Sequence, residues 1–263
     1  MTKYEGFEGL NVVLRDGILE VAFSNPGRKN AMTSSMKDGF EKVIEAFDDD
    51  SDVRVLIITG DGQDFCAGAD MGGLKSRHEE ARGPRTRGVR RVFWGMMDSE
   101  KPIISKVRGV AYGLGVNIAL GADIVVAAQG ARFCDSHVKA GIAPGDGGAA
   151  LFPLLLGFHR AKELLMLGDP ILAEDAARLG MINHCVPDAE LDRVTWDLAV
   201  RLRDSAPLAV AYAKMSVNTM LKQMMAGAFE TSLAYDMLTL TTQDHKEGVS
   251  AFMEKRKPAF RGK

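Results

Sequence analysis

Gly109-Val110-Ala111-Tyr112-Gly113-Leu114-Gly115-Val116-Asn117 follows the apolar run Pro102–Val107 and precedes Asp123–Ala128, so a helix opening on small residues sits between two buried-type strands. Two such strands joined through a helix are read as parallel neighbours with a crossover connection. Val53–Thr59 repeats the β-branched character of the flanking runs. Further upstream, Asn11–Arg15 and Gly17–Phe23 read as a hairpin closed at Asp16-Gly17. Thr33–Phe47 carries Met36, Phe40, Val43, Ile44 and Phe47 at helical spacing, with Thr33 or Ser34 as N-cap. Downstream, a strand is expected at Ala131–Cys134 and another at Met181–Val186. From Gly147 onward the chain otherwise reads as helix, over Asp188–Arg203, Pro207–Met225, Ala228–Glu247 and the charged Glu247–Lys257. The expected fold class is α/β, with a core over residues 1–190 and a helical region over residues 191–263 that packs on a neighbouring subunit.

The 263 residues are 46% apolar and 26% charged, which excludes disordered and fibrous classes. Thirty-three Lys and Arg against 35 Asp and Glu leave a net charge of −2, so no nucleic-acid partner is expected. Cys66, Cys134 and Cys185 are widely spaced and odd in number, against both a disulfide framework and a zinc site; no metal is expected. Met1–Leu10 has no apolar signal core and no run reaches about 18 apolar residues, so a cytoplasmic location without membrane contact is expected.

Phe65-Cys66-Ala67-Gly68-Ala69-Asp70-Met71 is a second small-residue turn leaving a strand. Taken singly, each turn is explained by close packing through glycine. Together they are two places where backbone N–H groups are open to a ligand oxygen, and a thioester carbonyl that becomes an enolate requires two convergent donors.

These motifs, with Asn25-Pro26…Asn30-Ala31-Met32, Ala122-Asp123-Ile124, Gly141-Ile142-Ala143-Pro144-Gly145-Asp146-Gly147-Gly148 and Glu247-Gly248…Ala251-Phe252…Lys255-Arg256, give a sequence that resembles the enoyl-CoA hydratase/isomerase (crotonase) superfamily over nearly its whole length. The resemblance implies a crotonase-like ββα superhelical core with a helical C-terminal oligomerisation region that also covers the active site, assembled as a homotrimer or homohexamer. It implies an acyl-CoA thioester substrate and no separate cofactor, coenzyme A being part of the substrate. The oxyanion hole maps onto the backbone N–H groups of Ala69 and Leu114, and Ala67, Gly68, Asp70, Met71 and Gly113 border the bound thioester. Arg28 and Lys29 are implied as partners of the CoA phosphates. Trp94, Met97 and Met71 are implied as walls of the acyl pocket, although a helical stripe is more often simple core.

The paired glutamates of a typical hydratase in this superfamily are absent: Asn117 and His137 stand at those positions. His137 and Asp146 are expected instead to form a water-activating dyad, the carboxylate fixing the imidazole tautomer. That pair is similar to one in the camphor β-diketone hydrolase branch, and Asp236 in Leu233-Ala234-Tyr235-Asp236 is similar to that branch's late acidic residue. Two reactions fit: hydration of an enoyl-CoA, or hydrolysis of a carbon–carbon bond in a β-diketone thioester. A non-catalytic acyl-CoA-binding protein is the alternative that the missing glutamates permit. A dinucleotide-binding oxidoreductase is represented only by Gly145–Ala150 as G-x-G-x-x-A, without a preceding strand and tight turn. His78, His159, His184 and His245 read as structural or exposed, and Arg82, Arg85, Arg87, Arg90 and Arg91 as a solvated helix face.

Overall fold

The hairpin forms where the sequence predicts it: Asp16 (φ 51°) and Gly17 (φ 74°) occupy the left-handed region and close β1 (Leu10–Arg15) antiparallel onto β2 (Ile18–Phe23). In the computed structural model, which describes residues 3–73 and 87–263, β3 (Val55–Gly60), β4 (Ile103–Val107), β6 (Ile124–Ala128) and β9 (His184–Val186) extend this hairpin as parallel neighbours. The six-stranded sheet has the order β1-β2-β3-β4-β6-β9. A three-stranded sheet stands beside it, formed by β5 (Val110–Tyr112), β7 (Arg132–Cys134) and β8 (Ile171–Leu172).

One face of the large sheet is covered by α1 (Ser34–Asp49), whose N-terminus is capped by the Thr33 hydroxyl accepting the Met36 N–H at 3.2 Å. Met36, Phe40, Val43, Ile44 and Phe47 form its buried stripe, and Phe23 meets Phe40 and Phe65 edge-on at 5.1 and 5.7 Å. Against α1 lies α2 (Arg87–Asp98), followed after β4 and β5 by α3 (Leu114–Leu120). Next come α4 (Gly148–Leu156), α5 (Phe158–Leu167) and α6 (Ala173–Arg178). The opposite face of the sheet is covered by α7 (Leu191–Arg203), where Leu191 and Ala199 pack with Ile18, Val55, Ile57, Ile104 and Val126.

The two helices expected over Pro207–Met225 and Ala228–Glu247 are one, α8 (Pro207–Thr239), 33 residues long. Gly227 costs the helix about 1 kcal/mol relative to alanine, but Met225 and Phe229 on either side are fully buried and hold it in register. The helix ends at Leu240, and Thr242 caps α9 (Gln243–Met253) by accepting the His245 N–H, so the charged terminal helix begins four residues earlier than expected. Two buried contacts pin α8 to the core: Lys214 Nζ to Asp123 at 2.8 Å, and Asn218 Nδ2 donating to the Met97 carbonyl at 3.0 Å. Among the described residues, no helix is long and apolar enough to cross a membrane.

Candidate active site

The two small-residue turns meet. Tyr112 N–H donates to Cys66 O at 2.9 Å and Cys66 N–H to Val110 O at 3.0 Å, which stitches the start of the Phe65–Met71 turn to β5. Gly115, in the first turn of α3, lies so close that a Cβ there would sit 2.3 Å from the Cys66 carbonyl oxygen. Gly68 (φ 97°) and Gly113 (φ 52°) face each other, a Cβ on either falling 3.7 Å from the other's Cα. The neighbouring amides of Ala69 and Leu114 are engaged by no protein acceptor among the described residues. Beneath them the Cys66 thiol is fully buried, and burial pushes it up to about 12, so it stays a neutral packing group. Gly115→Ala should therefore force the turns apart, lowering stability by about 1–3 kcal/mol and displacing both amides. Thermal unfolding together with turnover checks this, and an unchanged melting temperature would contradict it.

The acid–base groups come from three elements. Asp135 follows β7, and His137 opens the 3-10 turn His137–Ala140. Asp146 lies in the loop before α4, and Asp236 near the end of α8. His137 is clasped on both sides: Nδ1 lies 2.5 Å from Asp135 Oδ1 and Nε2 lies 3.2 Å from Asp146 Oδ2. Asn117, buried in α3, donates through Nδ2 to Asp146 at 2.5 Å and to Asp135 at 3.4 Å. Gly145 admits α8, since a Cβ there would fall 2.2 Å from the Asp236 Cβ; this close approach sets Asp236 beside Asp146.

Burial alone lowers an imidazole's proton affinity, but the Asp146 and Asp135 carboxylates outweigh it and hold His137 well above its ordinary 6.5. The Asp236 carboxyl is pushed up to about 7, first by burial and then by the negative charge of Asp146. Ligand atoms of Asp135, His137 and Asp146 lie within 4.8 Å of one another, a spacing that a metal ion can use. Each ring nitrogen faces a carboxylate, an arrangement that also suits a held proton.

A cavity of about 660 Å³ joins these parts. Its walls include Ala67, Gly68, Ala69, Asp70 and Met71 from the Phe65–Met71 turn, Gly113 and Leu114 from the Gly109–Asn117 turn, and His137, Asp146 and Asp236. Lys29 also lines it, whereas Arg28 is held by Asp70 at 2.6 Å and is not among the lining residues. Trp94, expected as an acyl-pocket wall, is not among the described lining residues; it packs on Phe93 and Phe229 with ring centroids 5.4 and 4.9 Å away. Met97 is likewise buried in the core. The G-x-G-x-x-A segment follows a 3-10 turn and no strand, and its Gly145 is filled by Asp236, so the dinucleotide reading falls.

Of the other histidines, His245 is fully buried and pairs through Nδ1 with the Ala140 carbonyl at 2.8 Å, while His159 and His184 are exposed. His78, Arg82 and Arg85 lie outside the described residues, as does the Arg87 side chain; Arg90 pairs with Glu230 and Arg91 with Glu41. Sequence reasoning missed Asp135 and the bridging amide of Asn117. The Asp135-Ser136-His137 spacing was the available signal.

A layered α/β fold with two facing glycine turns and a buried acid–base cluster on one cavity is the framework of a small-molecule enzyme. The enoyl-CoA hydratase/isomerase family profile matches residues 14–263, and the chain belongs to that family. It is 33% identical over 254 residues to the 1,2-epoxyphenylacetyl-CoA isomerase of Escherichia coli K12, covering 94% of this chain and 96% of that one. It is 35% identical to the crotonyl-CoA hydratase of Syntrophomonas wolfei, covering 95% and 97%. A solved enoyl-CoA hydratase from Mycobacterium avium subsp. paratuberculosis superposes with a TM-score of 0.89 at 26% identity, over 97% of this chain and all of that one.

Proposed function

We propose that the protein is an acyl-CoA enzyme that holds the thioester carbonyl between the amides of Ala69 and Leu114 and performs acid–base chemistry, with water, on the enolate formed there. The observation that carries this reading is that both open amides and three acid–base side chains border one cavity. Asp146, at the cavity wall beside His137, accepts the proton of the attacking water. Asp236, protonated up to about pH 7, returns a proton to carbon. His137 was expected to be the base; clasped by two carboxylates, it already carries its proton and supplies a fixed positive charge instead.

Hydration of an enoyl-CoA is the reading favoured by the hydratases among the relatives. Hydrolysis of a β-diketone thioester uses the same groups, with the enolate as leaving group. Incubation in ¹⁸O water separates them: hydration places label in a β-hydroxyl with the carbon skeleton intact, cleavage places it in a new carboxylate. Retained CoA-thioester affinity with no turnover on either substrate would instead indicate a binding protein. Assembly as a trimer or hexamer, which the family resemblance implies, and a cytoplasmic location are part of the proposal.

The rate should fall as pH rises through about 7, because Asp236 loses the proton it donates. Asp236→Asn should abolish that limb. The stability sign follows from the same group. Its folded-state value lies above the ordinary 3.8, so the folded chain binds the proton more tightly and stability falls as pH rises from about 4 through about 7. Asp236→Asn should thus melt higher than wild type at about pH 8 and similarly at low pH. Equal melting temperatures at both would contradict the burial of an ionising carboxyl.

A further inference from the structure

Asp135 is 1% exposed and does not reach the cavity, yet three features are built around it. Its Oδ1 meets His137 Nδ1 at 2.5 Å and its Oδ2 accepts from Asn117 at 3.4 Å. Gly148, the first residue of α4, leaves it room: a Cβ there would fall 2.0 Å from Asp135 Oδ2. The carboxylate therefore rests against the N-terminal turn of α4, where the helix dipole favours negative charge.

We propose that Asp135 is a positioning residue: accepting from Nδ1 behind the cavity wall, it holds His137 as an imidazolium with Nε2–H directed at Asp146, so that the Asp146–Asp236 pair exchanges the proton. The inference deepens the acyl-CoA reading and rests on it for the identity of the proton exchanged. Its geometric basis is the acceptor-only character of carboxylates. With Asp135 and Asp146 ionised, each ring nitrogen that donates to its carboxylate carries hydrogen, and the ring doing so on both sides is the cation. The raised proton affinity of His137 agrees with this.

The ionisable groups facing the ring are Asp135 and Cys134 from the segment leaving β7, Asp146 from the loop before α4, and Asp236 from α8. Lys139 in the ring's own turn is paired with Asp169 at 3.0 Å. From α9, His245 meets the turn through Nδ1 at the Ala140 carbonyl. Three carboxyl groups thus surround one imidazole, and Asp135 is the one remote from substrate.

The test is a ¹⁵N spectrum of the unliganded protein labelled at its five histidines, with His137→Gln assigning the His137 signals. Both ring nitrogens of His137 should remain protonated through neutral pH, where an ordinary histidine is largely neutral. In Asp135→Asn, which keeps an acceptor but removes the charge, the ring should lose its proton at lower pH than in wild type. The variant's kcat should fall about tenfold or more, with KM unchanged and a new ionisation in its pH–rate profile. A neutral His137 ring at about pH 7.5 in wild type, or an Asp135→Asn ring that titrates as in wild type, would overturn the proposal. If Asp135→Asn fails to fold, the wild-type spectrum alone decides. Calorimetric titration with a CoA thioester tests the acyl-CoA reading separately, so the two failures are distinguishable.

Discussion

Leu114→Pro is expected to lower kcat by on the order of a hundredfold or more, because it deletes one of the two open amides that receive the developing enolate oxygen. The substitution suits the position. Leu114 is the first residue of α3, where proline is tolerated since no intrahelical bond uses that N–H, and Gly113 before it already has a non-helical backbone. Leu114→Ala is the control: it shortens the side chain at the cavity wall but keeps the donor, so its effect should fall mainly on KM. Steady-state kinetics of the two variants decides the matter. Equal losses would assign the effect to the side chain, and an unchanged kcat in the proline variant would remove the amide from the mechanism.

Asp146→Asn should reduce kcat by roughly a hundredfold to ten-thousandfold with little change in thioester affinity, the usual contribution of a positioned general base. Asparagine preserves size, and its single oxygen can still accept from Asn117 while its NH2 donates to a neutral Nε2 of His137, so the cluster should stay folded. Combining it with Asp236→Asn should cost less than the product of the single losses, because the two carboxyls act on one proton. Multiplicative losses would show independent roles, and a wild-type rate in Asp146→Asn would exclude that carboxylate as the base.

The parts of the fold visible in the sequence were those set by local chemistry. Asp16-Gly17 specified its hairpin, Thr33 and the Met36–Phe47 stripe specified α1, and the apolar runs specified the parallel strands. The joined α8 was hidden because Gly227 reads as a breaker, while the burial of Met225 and Phe229 that overrides it is tertiary. Trp94 divides in a related way. Its helix spacing shows that it is on an apolar stripe, and only the approach of Phe229 from α8 shows what packs against it there.

The site divides similarly. Ala69, Leu114, His137, Asp146 and Asp236 were legible as candidates and the fold sets them around one cavity. Asn117 read as a lost carboxylate, whereas its amide joins Asp135 to Asp146. Asp135 read as nothing, because a carboxylate two residues from a histidine acquires a role only when the 3-10 turn folds the ring back onto it. Charge balance across four elements is not a local property of any of them.

A crystal structure of the protein with a bound, non-reacting acyl-CoA analogue shows whether this cavity activates a CoA thioester at its two glycine turns. The thioester carbonyl oxygen should lie within hydrogen-bonding distance of both the Ala69 and Leu114 amides, with the acyl α-carbon facing Asp146 and Asp236. A thioester carbonyl bound elsewhere, with those amides turned to solvent, would contradict that activation.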